Sequence, residues 1–168
     1  MEIVLLTGFL GAGKTTLLNH IMDQLREQTP EKRVGIIVNE FGRTGIDGRL
    51  IREPGIDLRE LNNGSVFCAC IREKFVYALE SMAGYEPDLV LVEASGLADR
   101  SNIGKIRDMV RLQEDRSYRY RGSICVLDAT YFLRQLEVLP AVRRQIECSS
   151  VVIINKLDEQ DPEQLQVI

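Results

Sequence analysis

One octapeptide limits what this chain can fold into more than any other feature. Gly8-Phe9-Leu10-Gly11-Ala12-Gly13-Lys14-Thr15 fits the pattern G-x-x-x-x-G-K-S/T, which makes structural sense only between a strand and a helix. Both are legible around it. Ile3 to Leu6 is a short apolar run, and Leu17, Leu18, Ile21, Met22 and Leu25 follow at a three-and-four spacing that fits one buried helical stripe. The glycines let the backbone turn tightly, so that successive N–H groups converge on a β-phosphate at the positive end of the helix. Lys14 then reaches the β- and γ-phosphate oxygens, and the Thr15 hydroxyl faces the Mg²⁺ that bridges them. Gly11, Ala12, Gly13, Lys14, Thr15 and Thr16 are therefore the candidate phosphate-binding residues.

The same strand-then-helix rhythm runs along the chain. Val34 to Val38, Leu89 to Val92, Ile124 to Leu127 and Val151 to Ile154 are further apolar runs that read as buried parallel strands, with amphipathic stretches between them. The expected fold is α/β, a P-loop NTPase with a mainly parallel β-sheet sandwiched between α-helices and ligands beyond the carboxyl ends of the strands. With 168 residues, 45% of them hydrophobic, the chain can build one core, which excludes disorder and a disulfide-stapled miniprotein. A net charge of −4 gives no reason to expect nucleic acid or an anionic membrane as a partner. Four irregularly placed cysteines make no disulfide framework and point to a reducing cytoplasm. The apolar runs fall far short of the ~20 residues of a membrane span.

The last apolar run leads into Asn155-Lys156-Leu157-Asp158, an N-K-x-D sequence. Guanine presents two adjacent donors, its ring N–H and its exocyclic amine, and one fixed carboxylate accepts both in a fork that adenine cannot satisfy. Asp158 is the candidate carboxylate, Asn155 would hold neighbouring loops and the base, and the Lys156 stem would lie along the base plane. Four such residues also make a plausible surface turn. Their conjunction with the phosphate loop favours GTP and counts against an ATP-using kinase or transferase.

Gly8 to His20, Asn39-Glu40-Phe41-Gly42 and Glu93-Ala94-Ser95-Gly96-Leu97-Ala98-Asp99 together resemble the CobW family of P-loop GTPases, which is related to the nickel-insertion GTPases of urease and hydrogenase. The resemblance runs essentially end to end. It implies GTP-driven transfer of zinc or cobalt to a client metalloprotein. It also implies that Glu93 holds Mg²⁺ through water, that Gly96 lets its loop sense the γ-phosphate, and that Asn39 to Gly42 is a first switch segment. Glu40 is the candidate for influencing the attacking water, with a solvated loop carboxylate as the alternative. By analogy with related GTPases, a nucleotide-dependent homodimer is expected.

The chain departs from the family at its cysteines. Where the family has C-x-C-C, this sequence reads Cys68-Ala69-Cys70-Ile71, and where an acidic residue usually precedes the Asn-Glu-Phe-Gly segment it has Val38. Zinc normally takes three or four Cys, His or carboxylate ligands, so Cys68 and Cys70 need Glu40, a client residue or a second subunit to complete a site. Partly buried thiols in a degenerate motif are the alternative, as is a redox dithiol. A second functional reading follows: a nucleotide-gated interaction module with a decayed metal site, for example an accessory to a corrinoid-dependent enzyme. Cys125, Cys148 and His20 read as structural or surface residues.

Two further features read as structure. Asp99 to Arg121 carries seven basic and four acidic side chains, but Tyr118 and Tyr120 alternate with arginines at strand period, which favours the start of a strand over a nucleic-acid surface. Asp99-Arg100-Ser101 lacks the proline that follows Ala-Asp in many relatives of this type. Asp158 is followed by ten residues, in which Leu165, Val167 and Ile168 look like one face of a helix. The resemblance implies at least one more strand, a further base loop and a separate carboxy-terminal domain. Residues 1–168 are thus expected to be a GTPase domain cut short at its base-binding edge.

Overall fold

A computed structural model describes residues 1–38, 55–60, 70–94 and 118–160. Among the described residues, six strands form one sheet: β1 (Glu2–Gly8), β2 (Val34–Val38), β3 (Ile56–Glu60), β4 (Leu89–Glu93), β5 (Arg119–Asp128) and β6 (Val151–Asn155). Their order is β3-β2-β4-β1-β5-β6, and every neighbouring pair is parallel. Carboxyl ends therefore share one edge, and the winding reverses about β1, the place where such sheets bind ligands.

Alternation along the strands sorts side chains to two helical layers. Leu6, Val34, Ile36, Val38 and Leu91 pack with Leu18 and Met22 of α1 (Lys14–Gln28). Ile3, Leu5, Ile37, Val90 and Val92 point the other way, to Phe75, Ala78, Leu79 and Met82 of α2 (Cys70–Ala83). Cys125 and Leu127 of β5 meet Phe132 and Val142 of two short helices, α3 (Phe132–Val138) and α4 (Pro140–Glu147). Proline at the first position of α4 suits a site where no amide donor is needed.

The expected α/β architecture and the stripe on α1 are present, and Tyr118 is buried while Arg119 and Arg121 are exposed, as the strand reading of that stretch requires. One strand carries no apolar run. Ile56-Asp57-Leu58-Arg59-Glu60 alternates apolar and polar residues because β3 lies at the sheet edge, and its presence makes Glu93 the end of the fourth strand and Asn155 the end of the sixth. No helix among the described residues is long and apolar enough to cross a membrane.

Candidate nucleotide site

The glycine-rich loop leaves the central strand and enters α1 as its residue types dictate. Gly11 and Gly13 stand at φ +79° and +98°, in the left-handed region that a side chain disfavours. Gly8, at φ +135°, lies so close to β5 that an added Cβ would sit 2.2 Å from the Val126 carbonyl oxygen. Gly13 is the N-cap of α1, which has no side-chain cap and no acidic residue in its first turn. Its first amides are thereby left for an anion. Ala12 is buried beneath the loop, whereas Thr16 and His20 face solvent.

Two charged groups lie under this loop. Lys14 is only 7% exposed, and its ammonium donates to the Phe9 carbonyl at 3.1 Å. Burial pulls the Lys14 pKa down, opposed by the negative charge of Glu93. Glu93 ends β4 and accepts a 2.8 Å hydrogen bond from Thr15 Oγ1. Burial raises its carboxyl above the ordinary value, against the Thr15 hydrogen bond and the Lys14 charge that lower it. Thr15 and Glu93 thus bring two hard oxygen donors together beside a phosphate-shaped loop, a donor set that fits Mg²⁺.

The second half of the site comes from the end of β6. Asn155 Nδ2 donates to the Ala12 carbonyl at 3.0 Å, joining the phosphate loop to the N-K-x-D segment. The join leaves no room: a Cβ on Gly13 would lie 2.3 Å from Asn155 Nδ2. Gly13→Ala, which adds both left-handed strain and this clash, is expected to lower stability by about 2 kcal/mol. Thermal unfolding should then shift down by about 4–8 °C; an unchanged melting temperature would contradict the tight join.

Lys156 adopts φ 60°, ψ 38°, and a short 3-10 turn, Leu157–Glu159, carries Asp158 outward to an exposed position. The Lys156 ammonium reaches Asp128 Oδ2 at 2.7 Å. Asp128, the last residue of β5, belongs to none of the sequence motifs. The available signal was its position, a carboxylate directly after an apolar run in a sheet whose ligands lie beyond the strand ends.

Lys14, Thr15, Glu93, Asn155, Lys156 and Asp158 therefore all stand along or just beyond the carboxyl edge of the sheet. Glu40, Cys68 and Gly96 lie outside the described residues, as do Asp99 to Ser117 and the last eight residues. Cys70 opens α2, and Val38 is buried at the end of β2 in register with Glu93. Cys125 and Cys148 are free thiols, Cys125 within β5 and Cys148 just before β6. Among the described residues, no three His, Cys, Asp or Glu side chains converge to hold a metal.

Residues 2–168 match the family model described as CobW/HypB/UreG, nucleotide-binding domain. The chain belongs to this family. Among its curated CobW/HypB/UreG relatives, the zinc chaperone YeiR of Escherichia coli (strain K12) is 30% identical over 169 residues, covering 98% of this chain and 49% of that protein. The zinc chaperone YjiA of the same organism is 32% identical over 165 residues, 94% of this chain and 50% of that protein. The crystal structure of Zn(II)-bound YjiA GTPase from E. coli superposes with a TM-score of 0.67 at 26% identity, over 99% of this chain and 52% of that one. The chain spans about half the length of these curated relatives.

Proposed function

We propose that this chain binds Mg²⁺·GTP, hydrolyses it slowly and couples its nucleotide state to delivery of zinc or cobalt to a client protein. The observation that supports the nucleotide half is the Asn155–Ala12 hydrogen bond, which ties the phosphate loop to the N-K-x-D segment proposed to read guanine. Lys14 is proposed to leave the Phe9 carbonyl for the β- and γ-phosphate oxygens, where its buried charge acts with little screening. Thr15 and Glu93 would hold Mg²⁺, Glu93 through water, and Mg²⁺ held there would supply positive charge against the phosphoryl oxygens. Asn155 and Asp158 would orient and select the base. Gly96 and Glu40 are proposed to sense the γ-phosphate and influence the attacking water.

The metal is cargo, and zinc is the favoured reading because the relatives YeiR and YjiA are zinc chaperones. Cys68 and Cys70 are the proposed soft donors, with Glu40, a client residue or a second copy of the chain completing the set in place of the residues replaced by Ile71 and Val38. A nucleotide-dependent homodimer and a cytoplasmic location belong to the same proposal. The relatives' names weigh against an interaction module without a metal.

A thermal-shift titration tests both halves. Mg²⁺·GTP at roughly 100 times its Kd should stabilise the protein by about 2.7 kcal/mol, a rise of about 5–10 °C. With GTP present, zinc should bind in a simple ratio to protein, and Cys70→Ser should abolish that binding. No thermal response to GTP would overturn the GTPase reading, and zinc binding that survives Cys70→Ser would overturn the cysteine assignment.

A further inference from the structure

Asp128 lies at the seam between β5 and β6, where its backbone is in register with Asn155 and the amide of Ala129 donates to the Asn155 carbonyl at 2.9 Å. Its side chain is buried and fixed from both sides. Thr130 N–H donates to Oδ1 at 2.9 Å, and the Lys156 ammonium approaches Oδ2 at 2.7 Å. Burial alone would raise this carboxyl, but the hydrogen bonds from Lys156 and Thr130 outweigh it and hold the group below its ordinary value.

The partner is in an unusual state. Lys156 occupies the left-handed region at φ 60°, one of two non-glycine residues with positive φ among the described residues. That backbone costs a side-chain-bearing residue roughly 1–2 kcal/mol, so a contact that holds Lys156 in place helps to offset it. Holding it matters because the turn that begins at Lys156 aims Asp158, two residues on. The clamp holds the ammonium at the end of β5.

We propose that Asp128 is a positioning residue for guanine recognition: by clamping the Lys156 ammonium it fixes the backbone at residue 156 and with it the direction in which Asp158 presents its carboxylate. This rests on the GTP reading and deepens it, assigning base selectivity to a side chain that never touches the base. The relevant chemistry is the guanine edge. ITP keeps the ring N–H of guanine and lacks the exocyclic amine, so the ratio of GTP to ITP affinity reports how well one carboxylate is aimed at two donors.

The experiment measures GTP, ITP and ATP affinities by competition against a fluorescent GTP analogue, for the wild-type chain and for Asp128→Asn, Lys156→Met and the double variant. Asp128→Asn keeps the shape and an acceptor for Thr130 N–H while removing the charge. Each single variant is expected to lower the GTP-to-ITP affinity ratio by about tenfold, and the double variant to lower it no further, since both break one contact. A purely structural role would weaken GTP and ITP alike and leave the ratio unchanged. If Asp128→Asn fails to fold, Lys156→Met still decides, because a wild-type ratio in that variant overturns the proposal. A wild-type protein that does not prefer GTP to ATP overturns the GTP reading and this inference with it. A wild-type preference that survives the single variants intact overturns this inference alone.

Discussion

Lys14→Ala is expected to weaken GTP binding by about 100-fold and hydrolysis by about 1,000-fold, while leaving the nucleotide-free protein folded. The binding loss follows from the role proposed for the ammonium, which would supply charge-assisted hydrogen bonds to phosphate oxygens, each worth roughly 1.5–3 kcal/mol in a site shielded from water. The hydrolytic loss is larger because negative charge on those oxygens is redistributed in the transition state, so the lost contact counts twice. Folding should survive because the empty protein gains little from this group. Burial already disfavours its charged form, and its hydrogen bond runs to one backbone carbonyl of the loop. Removing it deprives Glu93 of a nearby positive charge, which allows that carboxyl to rise further. Calorimetric titration with Mg²⁺·GTP and a phosphate-release assay measure the two effects. A Lys14→Ala protein that binds and hydrolyses GTP like the wild type would remove the phosphate loop from the function altogether.

What the sequence disclosed and what it hid divide along physical lines. The phosphate loop was legible because its chemistry demands glycine at positive φ and a lysine at a fixed offset, and Gly11, Gly13 and Lys14 meet that demand within four residues. The central strands were legible because both faces are covered, which forces unbroken apolar runs such as Val34 to Val38. At the edge that constraint lapses. β3 reads Ile-Asp-Leu-Arg-Glu and passes for a loop until its pairing with β2 is seen. Asp128 was hidden for a different reason. Its partner Lys156 lies 28 positions away, and only the register of two parallel strands, with Asp128 opposite Asn155, brings the pair together. Local pattern carries no such information, since a carboxylate after an apolar run looks the same whether it meets water or a lysine. The reverse holds for Asp158, whose proposed role rests on four consecutive residues, Asn155 to Asp158, and on the short turn that carries it beyond β6.

Asp158→Asn should convert the base preference from guanine to xanthine, shifting the GTP-to-XTP affinity ratio by on the order of 1,000-fold. A carboxylate offers guanine two acceptors, one for the ring N–H and one for the exocyclic amine. An asparagine side chain offers one acceptor and one donor. Its carbonyl still takes the ring N–H, but its amide would then face the guanine amine donor to donor, losing a charge-assisted bond and adding repulsion. Xanthine carries a carbonyl where guanine carries that amine, so the asparagine amide donates to it and both contacts are restored. Two contacts at roughly 1.5–3 kcal/mol each span the expected shift, with 1.4 kcal/mol for each factor of ten. Because Asp158 stands exposed on a three-residue turn and takes no part in the core, the substitution should leave the melting temperature of the empty protein nearly unchanged. That separates it from Gly13→Ala, whose clash with Asn155 acts on the fold and would weaken both nucleotides together. Competition binding with GTP and XTP decides the matter. An Asp158→Asn protein that keeps its preference for GTP would show that the guanine edge is read elsewhere, and the N-K-x-D segment would revert to a surface turn tethered to the phosphate loop by Asn155.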